Sequence, residues 1–163
     1  MSDPLNRLEH MFEAKNARSE LGERTAALTA TAGDALTEVA HVDATGLDDA
    51  GLRAGVLALE RARRSLDAAE GRLLVELHER RATEQHAALA TTRWLAREAR
   101  VPAKAAKDRL STALTLDRFL PAVADAFTEA RIGFDHATVF AQVVNVRNAA
   151  ALAVLSSTPG GGS

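Results

Sequence analysis

The chain has 163 residues with no cysteine and a formal net charge of −2, which is long enough for one domain with a buried core plus an arm. Without cysteine there is no disulfide framework, no thiolate metal site and no cysteine nucleophile. No run approaches the roughly 20 apolar residues of a membrane span, and MSDPLNRLEH lacks the basic and apolar regions of a signal peptide, so the cytoplasm is the expected location.

Alanine and leucine dominate, aromatics are 4% and tyrosine is absent, a composition that favours closely packed helices over sheets. The expected fold is all-α: a helical bundle with one long helix, then a helix-turn-helix-like pair and further short helices. Three segments are expected: an N-terminal helical arm over 1–40, a helical domain over 41–150 and a flexible tail over 151–163. Charge is uneven, with 5 Lys+Arg against 11 Asp+Glu in residues 1–60 and 15 against 11 thereafter. That asymmetry points to an anionic partner for the second part.

In the arm, Asp3-Pro4 can cap and open a helix whose face carries Leu5, Leu8 and Phe12. The later stretch TAALTATAGDALTEVA has weak periodicity and contains Gly33, so one or two short, interrupted helices are expected there. After HVDATGLDD, Asp48 is a good N-cap, with Leu47 and Leu52 placed as a hydrophobic staple. Leu52, Leu59, Leu66 and Leu73 then recur every seven residues in one long helix reaching about Arg81, roughly 50 Å at 1.5 Å per residue. Glu60 with Arg64, Arg63 with Asp67, and Glu76 with Arg80 have i,i+4 spacing on its outer face. Arg63 and Glu70 interrupt a second seam through Val56 and Leu77, so the leucine helix either packs into its own domain or pairs with another copy.

ATEQHAALA reads as a linker, followed by TTRWLAREARVPAKAAKDRLSTAL. There Thr91 or Thr92 caps a short helix with Trp94, Leu95 and Ala99 inward and Arg93, Arg97 and Arg100 on another face. Val101-Pro102 breaks it, and proline can open the next helix. The second helix carries Ala103, Ala106, Leu110 and Leu114 on one side and Lys104, Lys107 and Ser111 on the other. Two helices joined by so short a turn form a helix-turn-helix shape. Between Arg93 and Arg118 there are seven Lys+Arg and three Asp+Glu. Arg93, Arg97 and Arg100 suit phosphates, while Lys104 and Lys107 lie early in the helix that would enter a groove. Arg109, near the apolar side, is the one base reader in view, so contact with double-stranded DNA is expected mainly at the backbone. Beyond Pro121, Val123, Phe127 and Ala130 form a further helix, and His136, Val139, Phe140, Val143 and Val144 trace the face of another.

Three features together carry a family resemblance: the leucine-rich long helix after a GL-D-D start, the WLA-R-E-A-R-V-P-A-K-A segment, and FLPAVADAF followed by the I-x-x-x-H-A turn. From about Val42 to Val144 the chain resembles the actinobacterial helical domain known as domain of unknown function 222, or the thirteen-E-twelve repeat family, which typically precedes an HNH endonuclease domain. Gly133 stands where members usually have a serine cap, and Ala130 where a glycine usually ends the preceding helix, so local loosening is expected. Members usually continue to the nuclease, whereas this sequence stops, so a remnant of a longer nuclease is an alternative reading.

No catalytic residue is assigned. The five histidines, His10, His41, His78, His86 and His136, form no HNH-type cluster in sequence, and His78 with His86 read as helix-end histidines in preference to a metal pair. No cofactor, metal, membrane or small-molecule partner is expected. The two partner classes in view are DNA, through Arg93, Arg97, Arg100, Lys104, Lys107 and Arg109, and a protein, including a second copy, through Leu52, Leu59, Leu66 and Leu73.

Overall fold

The computed structural model describes residues 4–144, with side chains from Met11 onward except Phe12. The tail expected over 151–163, and the faces of Leu5 and Leu8, lie outside the described residues. Every regular element among the described residues is helical, as the composition implies. By its contacts the chain divides into two units, 1–52 and 53–163.

The first unit is dominated by α1, Pro4–Ala40, a continuous helix of 37 residues. The interruption expected around Gly33 does not occur. Thr25, Thr29, Thr31 and Thr37 each donate a hydroxyl hydrogen bond to the carbonyl four residues back. Back-bonding of this kind lets threonine sit within a helix where its propensity is only middling. At the C-terminal end the His41 ring donates to the Thr37 carbonyl at 2.7 Å, which satisfies one of the last turn's orphan acceptors. Asp43 starts a short 3₁₀ turn over Ala44–Gly46, its carboxylate accepting from the Thr45 amide. Asp48 then caps α2 as expected: its Oδ1 accepts from the Gly51 amide at 2.7 Å, the bond that defines a good N-cap.

In the second unit the elements are the body of α2 (Asp49–Glu79), α3 (Ala82–Ala87), α4 (Thr91–Glu98), α5 (Ala103–Phe119), α6 (Pro121–Thr128) and α7 (Phe134–Val143). The segment expected to be a linker contains α3, one turn and a half of helix closed at each end by a left-handed residue, Arg81 and Ala88. Neither Thr91 nor Thr92 caps α4. Ala90 occupies that position, because the Thr91 hydroxyl is buried 3.4 Å from that of Thr83. α5 is central and packs against α4, α6 and α7. Pro121 opens α6 after a single junction residue, Leu120, as its fixed φ and missing N–H favour.

Among the described residues, two apolar clusters make the core. Ala68, Leu116, Leu120, Phe127 and Ala137 form one, with Ile132 and Phe134 packed against it. Leu74, Leu95, Ala106 and Leu110 form the other, flanked by half-buried Trp94 and Val101. Thus α2 docks through Ala68 and Leu74, not through the heptad leucines, and Leu52, Leu59, Leu66 and Leu73 are all exposed. α7 likewise buries Ala137, leaving Val139, Phe140 and His136 on the exterior. Ala99 and Ala103 are also exposed rather than inward.

Among the described residues, four that are not glycine take positive φ: Arg81, Ala88, Arg100 and Ala130. After α6 the amide of Arg131 donates to the Ala126 carbonyl and that of Ala130 to the Phe127 carbonyl, a Schellman closure with alanine at its left-handed position, φ 55°. Glycine adopts that conformation without the Cβ clash. Ala130→Gly is therefore expected to raise the unfolding free energy by about 0.5–1 kcal/mol, seen as a higher urea midpoint at unchanged m-value.

Candidate nucleic-acid interface

The α4–α5 pair has the helix-turn-helix shape expected from Pro102. Val101 precedes the proline, Pro102 is the extended residue before α5, and Arg100 turns the chain with φ 53°. Both helices are anchored from beneath: Leu95 from α4 and Ala106 and Leu110 from α5 meet Leu74 of α2.

Outside this anchor, α4 and α5 enclose an open groove of about 470 Å³, lined by Thr92, Arg93, Ala96, Arg97, Ala103 and Lys107. Three of the six lining residues are cations and none is acidic. Ala96 and Ala103 supply a floor low enough for a backbone or phosphate to approach. Ala103 is also the first residue of α5, whose N-terminus has no side-chain cap and no acidic residue in its first turn. Its free amides and the positive end of the helix dipole reinforce the attraction for an anion.

Of the six basic residues singled out in the sequence, the structure brings Arg93, Arg97 and Lys107 to this groove. Arg97 also pairs with its neighbour Glu98 at 2.6 Å, both side chains being about half exposed. Arg100 lies in the turn. Lys104 is 85% exposed and pairs with Asp108 at 2.5 Å. Arg109 turns the other way, donating to both carboxylate oxygens of Glu70 on α2 at 2.9 and 3.2 Å. It holds α5 to α2 and is not presented with the other five. The sequence sets Arg109 close to the apolar side yet counts it as a base reader; the structure corrects this, because its acceptor stands 39 residues away and only the fold brings it there. Thr92, read in the sequence as a cap, Ala103, read as inward, and Ala96 are not among the residues that the sequence marks for DNA contact. Their signal is small or polar side chains at helical spacing between the basic ones.

A larger cleft of about 750 Å³ lies between α2, α5 and the turn before α7. Its walls carry both signs of charge: Arg64, Asp67, Glu70, Asp108, Arg109 and Asp135 among others. Burial, then repulsion from Glu70, pushes the Asp67 carboxyl above the ordinary carboxylate range, with Arg109 and Arg63 opposing. Arg64 does not form the pair expected with Glu60, which takes Arg63 at 2.5 Å instead. The Arg64 stem runs under Gly133, the residue before α7, and its Nε is buried without a partner. Glu76 and Arg80 do pair as expected, at 2.6 Å. The walls of this cleft are of mixed charge, whereas the lining of the α4–α5 groove carries cations and no carboxylate.

A family model described as Domain of unknown function (DUF222) matches residues 53–158, almost the whole second unit. The chain belongs to this family. The DUF222 match begins with the first residue of the second unit, so α1 stands outside it. The chain matches no curated protein and no solved structure. Among the described residues of the DUF222 region, no helix is long and apolar enough to cross a membrane.

Proposed function

We propose that the DUF222 unit is a non-catalytic module that contacts the backbone of double-stranded DNA through the α4–α5 groove. The observation that carries this reading is the groove's lining: Arg93, Arg97 and Lys107 around a floor of small residues, with no carboxylate among them and the uncapped start of α5 at one edge. Phosphates are the anions that such a surface fits at repeated spacing, and helix N-termini with Lys and Arg are the usual groups that hold them. Sequence reading is not part of the proposal. Asparagine and glutamine, which read adenine edges, are absent from both helices, and Arg109, the residue placed to read guanine, is committed to Glu70.

The test is a titration of labelled duplex DNA over a salt series, with the chain and with an Arg93→Ala/Arg97→Ala/Lys107→Ala variant. Binding should be insensitive to DNA sequence, with a dissociation constant of about 1–100 µM near physiological salt. Each phosphate contact contributes about 0.9 to the log–log salt slope, so the triple variant should lower the slope by up to about 2.7. These side chains are exposed, so helix content by circular dichroism should not change. No binding at low salt, or a slope that the variant leaves unaltered, overturns the proposal.

A further inference from the structure

The heptad leucines of α2 face away from the core that the same helix helps to build. Leu59, Leu66 and Leu73 are 41%, 43% and 53% exposed, while Ala68 and Leu74 of the same helix are 3% exposed. Three residues beyond the leucines stand small residues: Ala62 follows Leu59 and Ala69 follows Leu66, and Gly55 continues the series one heptad earlier. Three-residue spacing puts each small residue beside its leucine on one helix face. The result is a stripe of alternating large and small side chains.

Such a stripe is complementary to itself when reversed. We propose that a second copy of this chain seats on it, with the two α2 helices antiparallel about a twofold axis level with Asp67 and Ala68. In that register Leu66 lies over Ala69 of the other copy and Leu73 over Ala62, each contact occurring twice. Leucine knobs then fill the hollows above alanine, which keeps the interface at interior density. The flanks agree with the same register. Arg63, which pairs with Glu60 within its own helix and has further N–H donors, comes beside Glu70 of the other copy, and Val56, 61% exposed, beside Leu77. Glu70 already accepts from Arg109, and a carboxylate has lone pairs for a second donor. Leu59 is met by the aliphatic stem of Glu76. A parallel pair lacks these matches: leucine stacks on leucine, small on small with gaps between, and neither Arg63 nor Glu70 meets an opposite charge. This self-association does not depend on DNA contact, because it uses a different helix.

The absence of cysteine from the chain makes the register directly testable. Sedimentation should give twice the chain mass. Leu66→Asp should weaken the dimer by roughly 100-fold or more, since it sets a charge in the apolar stripe, with helix content unchanged because Leu66 lies outside the chain's own core. An Ala62→Cys/Leu73→Cys variant should form a covalent dimer on mild oxidation, whereas Leu59→Cys alone should not, its two copies lying about 25 Å apart along the axis. A monomer at all concentrations overturns the proposal, whether the stripe is bare or covered by another part of the same chain. Cross-linking through Leu59→Cys, or none through Ala62→Cys/Leu73→Cys, overturns the antiparallel register.

Discussion

Phe127→Ala is expected to destabilise the second unit by about 3–5 kcal/mol, the range for deleting a buried phenylalanine ring. Phe127 is 6% exposed and meets Ala68, Leu116, Leu120 and Ala137, so four elements lose contacts at once. Its ring also lies against α2 at Gly71, where Cε1 is 3.4 Å from the place a Cβ would occupy. A glycine in mid-helix costs up to about 1 kcal/mol relative to alanine, and here it admits the ring to the helix backbone. The neighbours of Phe127 sit in three other helices, so the void left by the ring has little freedom to collapse. Against a typical total of about 5–15 kcal/mol, the variant should unfold at far lower urea, and at a melting temperature lower by roughly 10 °C. Phe127→Leu keeps most of the volume and should cost less than about 1.5 kcal/mol. A loss below about 1 kcal/mol for the alanine variant would mean that α6 is not docked on α2 as described.

Leu110→Ala should cost about 2–5 kcal/mol and should act on the basic groove as well. Leu110 is 5% exposed and joins Leu74 and Leu95 beneath the α4–α5 pair. α4 has only 8 residues, too short to persist as an isolated helix in water. Its geometry therefore comes from this apolar anchor. Native-state hydrogen exchange should show the amides of α4 losing protection before those of α5 and α6. Any affinity for duplex DNA should fall in parallel, although no cation has been removed. If α4 stays protected while global stability falls, Leu95 alone holds the pair and the groove is more robust than its packing suggests.

The parts legible in the sequence were those with local causes. Asp48 announces the start of α2 because its bond to Gly51 spans three residues. Pro102 and Pro121 announce the boundaries of α5 and α6, since proline restricts its own φ and the preceding residue. The all-α class and the basic character of α4 and α5 follow from composition and spacing. What stayed hidden was set by packing. Helical periodicity placed Val139, Phe140 and Val143 on one face of α7, yet the helix buries Ala137, because close approach favours a small side chain over a ring. The same reversal occurs on α2, where Ala68, Gly71 and Leu74 lie toward the core and the heptad leucines Leu59, Leu66 and Leu73 away from it. α1 was concealed for another reason. Threonines and a glycine resemble breakers until their hydroxyls are seen to bond within the helix. In the candidate site, basic spacing found Arg93, Arg97 and Lys107, but pairing with Asp108 and Glu70 divides Lys104 and Arg109 from them.

Trp94 sits half-buried on α4 at the edge of the Leu74–Leu95–Leu110 cluster, between the groove residues Arg93 and Ala96 in sequence. It is the only tryptophan in a chain without tyrosine, so near-ultraviolet emission excited through the indole arises from this one ring. The protein thus carries a built-in optical gauge of its smallest basic helix. Anything that lifts α4 from α2 wets the ring and shifts its emission to the red. A polyanion settling in the groove changes its intensity while the ring stays dry. One unlabelled sample can therefore distinguish occupation of the groove from collapse of the helix that forms it.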